Sequence, residues 1–144
     1  MPEDPNEVSW NDRIIADIRE HGGRATTPPF QNSNLLILTS TGATSGRPRS
    51  TPLGYTRDGD RYVVVGSNSG GPVNPVWLSN IRTAPEVTVE AAGETFRARA
   101  TITTGAERRR LLDAHQTAIP IFKRYEDMTE RELPVVVLER IAEG

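Results

Sequence analysis

Two segments carry residue types that could hold a ligand rather than only shape a fold. The first is Thr41-Gly42-Ala43-Thr44-Ser45-Gly46-Arg47-Pro48-Arg49. Hydroxyls and backbone N–H groups in such a turn can hold an anion, and an arginine guanidinium grips phosphate with two parallel bonds. The second is Ser67-Asn68-Ser69-Gly70-Gly71-Pro72-Val73-Asn74-Pro75-Val76-Trp77. There a glycine-rich loop runs into a helix start, where free N–H groups and the helix dipole favour an acceptor-rich ligand. Trp77 on the first helical turn could cover a flat ring, or could be core. Each segment alone also reads as an ordinary turn. Together, with one hairpin between them, they are expected at one end of a small sheet, where a long ligand with a planar head and an anionic tail would fit.

Other reactive groups are scarce. The chain has no Cys, which excludes a disulfide framework, a thiolate metal site and a Cys nucleophile. His21 and His115 lie far apart, and His115 is expected on a partly exposed helix surface. No zincin, nucleophile-elbow or P-loop pattern occurs. The acidic residues stand at surface-like positions, and no metal is expected. Any reaction would have to be carried by a cofactor. A net charge of -2 argues against a general nucleic-acid surface.

The elements that must position these loops are short. A chain of 144 residues fits one domain, with residues 1–8 read as a flexible tail and 9–144 as the domain. The N-terminal residues lack the basic and apolar regions of a secretory or transit signal. The longest apolar runs, such as Leu35 to Leu38, fall far short of the roughly 20 residues of a membrane span. The protein is expected to be cytoplasmic, with the first helix free to cover the pocket or rest on a membrane surface. That helix spans 9–21, capped by Ser9, stopped by Gly22-Gly23, and apolar along Trp10, Ile14, Ile15 and Ile18. A surface loop follows over 22–33. Strands are expected at Leu35–Leu38, at Pro48–Thr56 and at Arg61–Gly66, with Asp58-Gly59 forming a type I′ hairpin turn. A short helix over 74–83 takes Asn74 as cap and Pro75 as its first residue. Strands over 86–90 and 95–103, a helix from Gly105 toward Ile119, a second helical piece over 121–128 and a closing strand over 134–141 complete the chain. The order suggests an α+β fold built on a small antiparallel barrel of about six strands.

Several motifs are specific when taken together. They are the Gly-x-x-Ser-Gly-x-Pro-Arg turn at 42–49, Pro52-Leu53, the Asp58-Gly59 hairpin, the Ser67-x-x-Gly70 loop, the Asn74-Pro75-x-Trp77 helix start and the closing strand from Pro134. On these the chain resembles the deazaflavin (F420)-dependent nitroreductase and quinone reductase family of actinobacteria, over roughly residues 34–140. The resemblance implies a split β-barrel related to FMN-binding reductases. It also implies coenzyme F420, a flavin-like hydride carrier with a phosphate and an oligoglutamate tail. By matching position, Thr44, Ser45 and Arg49 would meet the phosphate and tail, and Pro52 and Leu53 would flank the ring. Val65, Ser67 and Asn68 would line the ring and its linker, while Val76 and Trp77 would offer N–H groups to ring carbonyls. Phe122 and Tyr125 would shape the acceptor pocket, with Tyr125 or solvent as proton source. The chain departs from the family at Ala43-Thr44 and Asn68, where cations are frequent, and at Ile119, where some members carry a tyrosine. The implied activity is hydride transfer from the reduced coenzyme to a quinone, an enone or lactone, or a nitroaromatic. Two alternatives stay open: FMN in the same barrel, or a non-catalytic F420 carrier. The partner is a small-molecule acceptor rather than nucleic acid, and a homodimer through a barrel face or the first helix is compatible.

Overall fold

The computed structural model describes residues 10–26 and 34–141. The expected tail, the Ser9 cap, the Trp10 side chain and most of the 22–33 loop lie outside the described residues. Helix α1 covers Trp10–Glu20. Four strands follow: β1 Leu35–Thr41, β2 Pro48–Gly54, β3 Thr56–Asp58 and β4 Arg61–Val65. Then come α2 Val76–Thr83, β5 Glu86–Ala91, β6 Glu94–Ile102, α3 Gly105–Ala118, α4 Ile121–Asp127 and β7 Val135–Arg140.

The strands form one antiparallel sheet in the order β2-β1-β5-β6-β7-β4-β3. The two outer strands, β2 and β3, are separated in the chain by Tyr55 alone. Two Cα–Cα steps reach at most about 7 Å, so the edges must meet and the sheet must curl into a barrel. The sequence predicts one strand over Pro48–Thr56. It is two, because the chain leaves one edge at Gly54 and joins the other at Thr56.

The burial pattern explains each strand's composition. Strands β5 and β6 face the core on one side only, through Val87, Val89 and Ala91 and through Phe96, Ala98 and Ala100. They therefore alternate, with Arg97 and Arg99 outside. Strands β4 and β7 are buried on both faces and so read as continuous apolar runs. Val64, Val136 and Leu138 join the barrel interior with Leu36, Leu38, Trp77 and Leu78. Val63, Val65, Val135 and Val137 pack outward against Leu111 and Leu112 of α3, Phe122 of α4 and Leu133 of the connection to β7. Strand β1 buries its outer face, Leu35 and Ile37, under Ile14, Ile15 and Ile18 of α1. A fork from Arg19 to Glu90, with bonds of 2.9 and 2.7 Å, anchors that helix to β5.

Three local expectations change. The β3–β4 hairpin pairs Asp58 with Arg61, so its central residues are Gly59 and Asp60. Only Gly59 has positive φ (62°), as in a II′ turn, whereas type I′ needs both. The type I′ turn lies instead between β5 and β6, at Ala92 (φ 52°) and Gly93 (φ 82°). The N-cap of α2 is Pro75, not Asn74. The Asn74 side-chain oxygen is occupied by Arg131 at 2.6 Å and cannot cap. Asp17 is buried rather than on the surface, accepting bonds from both the N–H and the hydroxyl of Thr26.

Candidate functional site

A cavity of about 560 Å3 opens between α1, residues 51–54 of β2, the end of β4, the loop after it, the start of α2 and α4. Most of the sequence-derived candidates border it. Pro52 and Leu53 come from β2, Val65 from the end of β4, and Ser67 and Asn68 from the loop. Val76 and Trp77 enter from α2, and Phe122 and Tyr125 from α4. The two aromatic residues of α4 stand edge to face, with centroids 5.5 Å apart.

The start of α2 supplies donors. Leu78 N–H turns back to Pro75 O at 3.1 Å, so the N–H groups of Val76 and Trp77 precede the first helical bond and have no partner within the helix. The indole of Trp77 is 5% exposed and packs in the barrel interior. Of the two readings of this residue, its side chain follows the core one, while its backbone reaches the site.

Thr44, Ser45 and Arg49 do not border the cavity. Thr44 and Ser45 sit on the exposed tip of the β1–β2 loop, and the Ser45 hydroxyl accepts Arg47 N–H at 3.2 Å. Arg49 is placed differently. Ser40, Leu38 and Leu36 of β1 pair with Arg49, Thr51 and Leu53 of β2, which gives those three β2 residues a common face. Thr51 and Leu53 line the cavity, as do Pro52 and Gly54 of the opposite face, and Arg49 lies exposed, two residues from Thr51 along the strand. Neither Arg47 nor Arg49 forms an ion pair among the described residues.

The sequence reading missed what joins the two loops. Asn80 of α2, 2% exposed, accepts Ala43 N–H at 2.9 Å and donates to the Ser40 hydroxyl at 3.2 Å. This amide ties the helix that follows the second loop to the base of the first. A buried Asn on the inward face of an amphipathic helix was the available signal. Asn11 and Ile14 of α1 also border the cavity, so α1 is part of the site wall.

His115 is another correction. It is fully buried rather than partly exposed, with Nδ1 2.8 Å from the Thr56 hydroxyl and its ring edge to face with Phe122 at 4.4 Å. Burial pulls its pKa down to about 4, which leaves the imidazole neutral. Behind Tyr125, hydrogen bonds from Arg109 and Gln116 hold the Glu126 carboxyl down to about 2, so it stays ionised and is no proton donor at neutral pH.

Residues 11–140 match the model of a protein family described as F420H(2)-dependent quinone reductase. A Mycobacterium tuberculosis protein named F420H(2)-dependent quinone reductase is 34% identical over 108 residues, 73% of this chain and 72% of its own. A solved structure described as an F420-H2 dependent reductase aligns with a TM-score of 0.69 at 30% identity, covering 74% of this chain and 94% of that one. Another, described as a domain-swapped dimer, aligns at 0.71 and 27% identity, over 88% of this chain and 95% of the other. A heme storage protein from Vibrio cholerae, 15% identical with a TM-score of 0.59, shares the fold alone.

Proposed function

The chain belongs to the F420H(2)-dependent quinone reductase family, and we propose that the cavity between β2, the 67–77 segment and α4 is where its coenzyme and acceptor meet. The protein is an oxidoreductase that uses reduced coenzyme F420 as hydride donor to a quinone-like acceptor. The observation that carries the site is the convergence of four separate segments, at 52–53, 65–68, 76–77 and 122–125, on one space.

The residues present suit this coenzyme. A volume of about 560 Å3 lies within the range of small-molecule sites. Pro52, Leu53 and Val65 give an apolar wall for a flat ring, and the N–H groups of Val76 and Trp77, which have no partner among the described residues, suit ring carbonyls. Arg49, exposed and without an ion-pair partner among the described residues, suits a phosphate or carboxylate tail. The bound coenzyme supplies the hydride. The chain orients the two reactants and keeps water from them. Phe122 and Tyr125 form the acceptor side, and the Tyr125 hydroxyl, or solvent, provides the proton that completes the two-electron reduction. The family resemblance extends the proposed acceptors to enones, lactones and nitroaromatics.

The test is a titration with oxidised coenzyme F420, with FMN in parallel, followed by oxidation of the reduced coenzyme with menadione. Saturable quenching by F420 and turnover of its reduced form are expected. Tyr125→Phe should lower turnover by about a hundredfold, the usual worth of a positioned proton donor, and leave coenzyme affinity nearly unchanged. Unchanged turnover in that variant removes the role of Tyr125. Failure to bind F420 removes the whole reading, and preference for FMN replaces the coenzyme.

A further inference from the structure

Arg131 lies in the connection from α4 to β7 and does not border the cavity. It nevertheless holds the loop that does. Its Nε donates to Gly71 O at 3.1 Å and its Nη2 to Ser67 O at 2.8 Å. Its Nη1 donates to Gly66 O at 3.2 Å and to Asn74 Oδ1 at 2.6 Å. One planar fork therefore binds four acceptors across residues 66–74, three of them backbone carbonyls. It has no carboxylate partner among the described residues, so its charge goes to three peptide dipoles and one side-chain amide.

That arrangement fixes where the neighbouring N–H groups point. In a trans peptide the C=O of one residue and the N–H of the next are antiparallel. With Gly66 O and Ser67 O drawn to the guanidinium, the N–H groups of Ser67 and Asn68 are turned away from it, on residues that line the cavity. Neither N–H has a hydrogen-bond partner among the described residues. The backbone agrees: Ser67 is right-handed (φ −75°, ψ −30°) and Asn68 has φ 47°, the alternation that makes successive N–H groups converge on one anionic or strongly polar atom. Asn tolerates that conformation better than most residues. The Asn68 side chain secures it further by donating to Val73 O at 3.1 Å.

We infer that Arg131 is a positioning residue for the coenzyme: it aligns the Ser67 and Asn68 peptides so that both N–H groups donate to one oxygen of the bound ligand. This rests on the functional reading above. It also gives a physical reason why Asn68 can stand where cations are frequent in the family, since two convergent amides backed by a guanidinium replace a side-chain charge.

The experiment measures the dissociation constant of oxidised coenzyme F420 for the full chain and for Arg131→Lys and Arg131→Met. Thermal midpoints are taken in parallel, and the Ser67 and Asn68 amide resonances of the wild type are followed during the titration. Lysine keeps the charge but cannot reach four acceptors in one plane, so both variants should bind the coenzyme about tenfold more weakly, roughly the worth of one charge-assisted bond. The two wild-type amides should shift downfield as the ligand saturates. Wild-type affinity in Arg131→Lys, or amides that do not move although the coenzyme binds, would overturn the inference while leaving the function intact. A wild type that binds no F420 overturns the function as well.

Discussion

At His115 a single side chain ties the acceptor side of the cavity to the closure of the barrel. It bonds to Thr56 on β3 and packs edge to face with Phe122, which lines the site, while its Nε2 has no partner among the described residues. Its pKa falls from 6.5 to about 4 because burial opposes the charged form. The unfolded chain therefore binds a proton at pH values where the native state refuses it, and stability falls as pH drops from about 6.5 toward 4. Each pKa unit carries roughly 1.4 kcal/mol, so the loss at pH 4.5 relative to pH 7 is on the order of 2 kcal/mol. His115→Gln keeps a polar partner for Thr56 without titrating, and urea unfolding at both pH values should show its pH dependence much reduced. Equal slopes for variant and wild type would remove His115 as the cause. The sequence did carry the signal, because Leu111, Leu112 and His115 follow helical spacing on one buried face. Residue type suggested the surface, and periodicity pointed inward. Arg131 had no such signal: its partners are mostly backbone carbonyls, which no residue type announces.

Among the elements, α1 shows how little chain is needed to set a wall of the site. It brings Asn11 and Ile14 to the cavity and ends in two glycines of different standing. Gly22 has φ 64°, and a Cβ there would meet nothing within 4 Å. Gly23 has φ 100°, and a Cβ there would stand 2.5 Å from Gly93 N in the β5–β6 turn. Gly22→Ala should therefore cost only the left-handed penalty, about 1 kcal/mol. Gly23→Ala adds a backbone collision that α1 and the hairpin can relieve only by parting, for a total on the order of 3 kcal/mol. Thermal midpoints of the two variants check this, and equal losses would show that the close approach does not matter. The glycine pair was legible as a helix stop. Its contact with the hairpin was not, since it joins residues about 70 apart. Likewise the alternation of β5 and β6 and the apolar runs of β4 and β7 identified strands. The break at Tyr55 stayed hidden, because it follows from which edges pair rather than from local propensity.

At the scale of the whole molecule the cavity belongs to no single element. Its walls come from Asn11 at one end of the chain to Tyr125 near the other, and the sheet between them closes only because β2 passes through Tyr55 into β3. A ligand that touches α1, β2, the end of β4, α2 and α4 therefore couples segments that would otherwise separate. If residues 10–141 form one cooperative unit, coenzyme binding must stabilise all of it together. At a free coenzyme concentration one hundred times its dissociation constant the gain is about 2.7 kcal/mol. In a chain of this length that raises Tm by roughly 5–10 °C. Calorimetry with oxidised F420 should show one transition moving as a whole, and hydrogen exchange should slow in α1 as well as in β4 and β7. A transition that splits, or an α1 whose exchange ignores the coenzyme, would mean that the helix rests on the barrel without closing its site. The two-glycine contact with the β5–β6 turn would then serve stability alone.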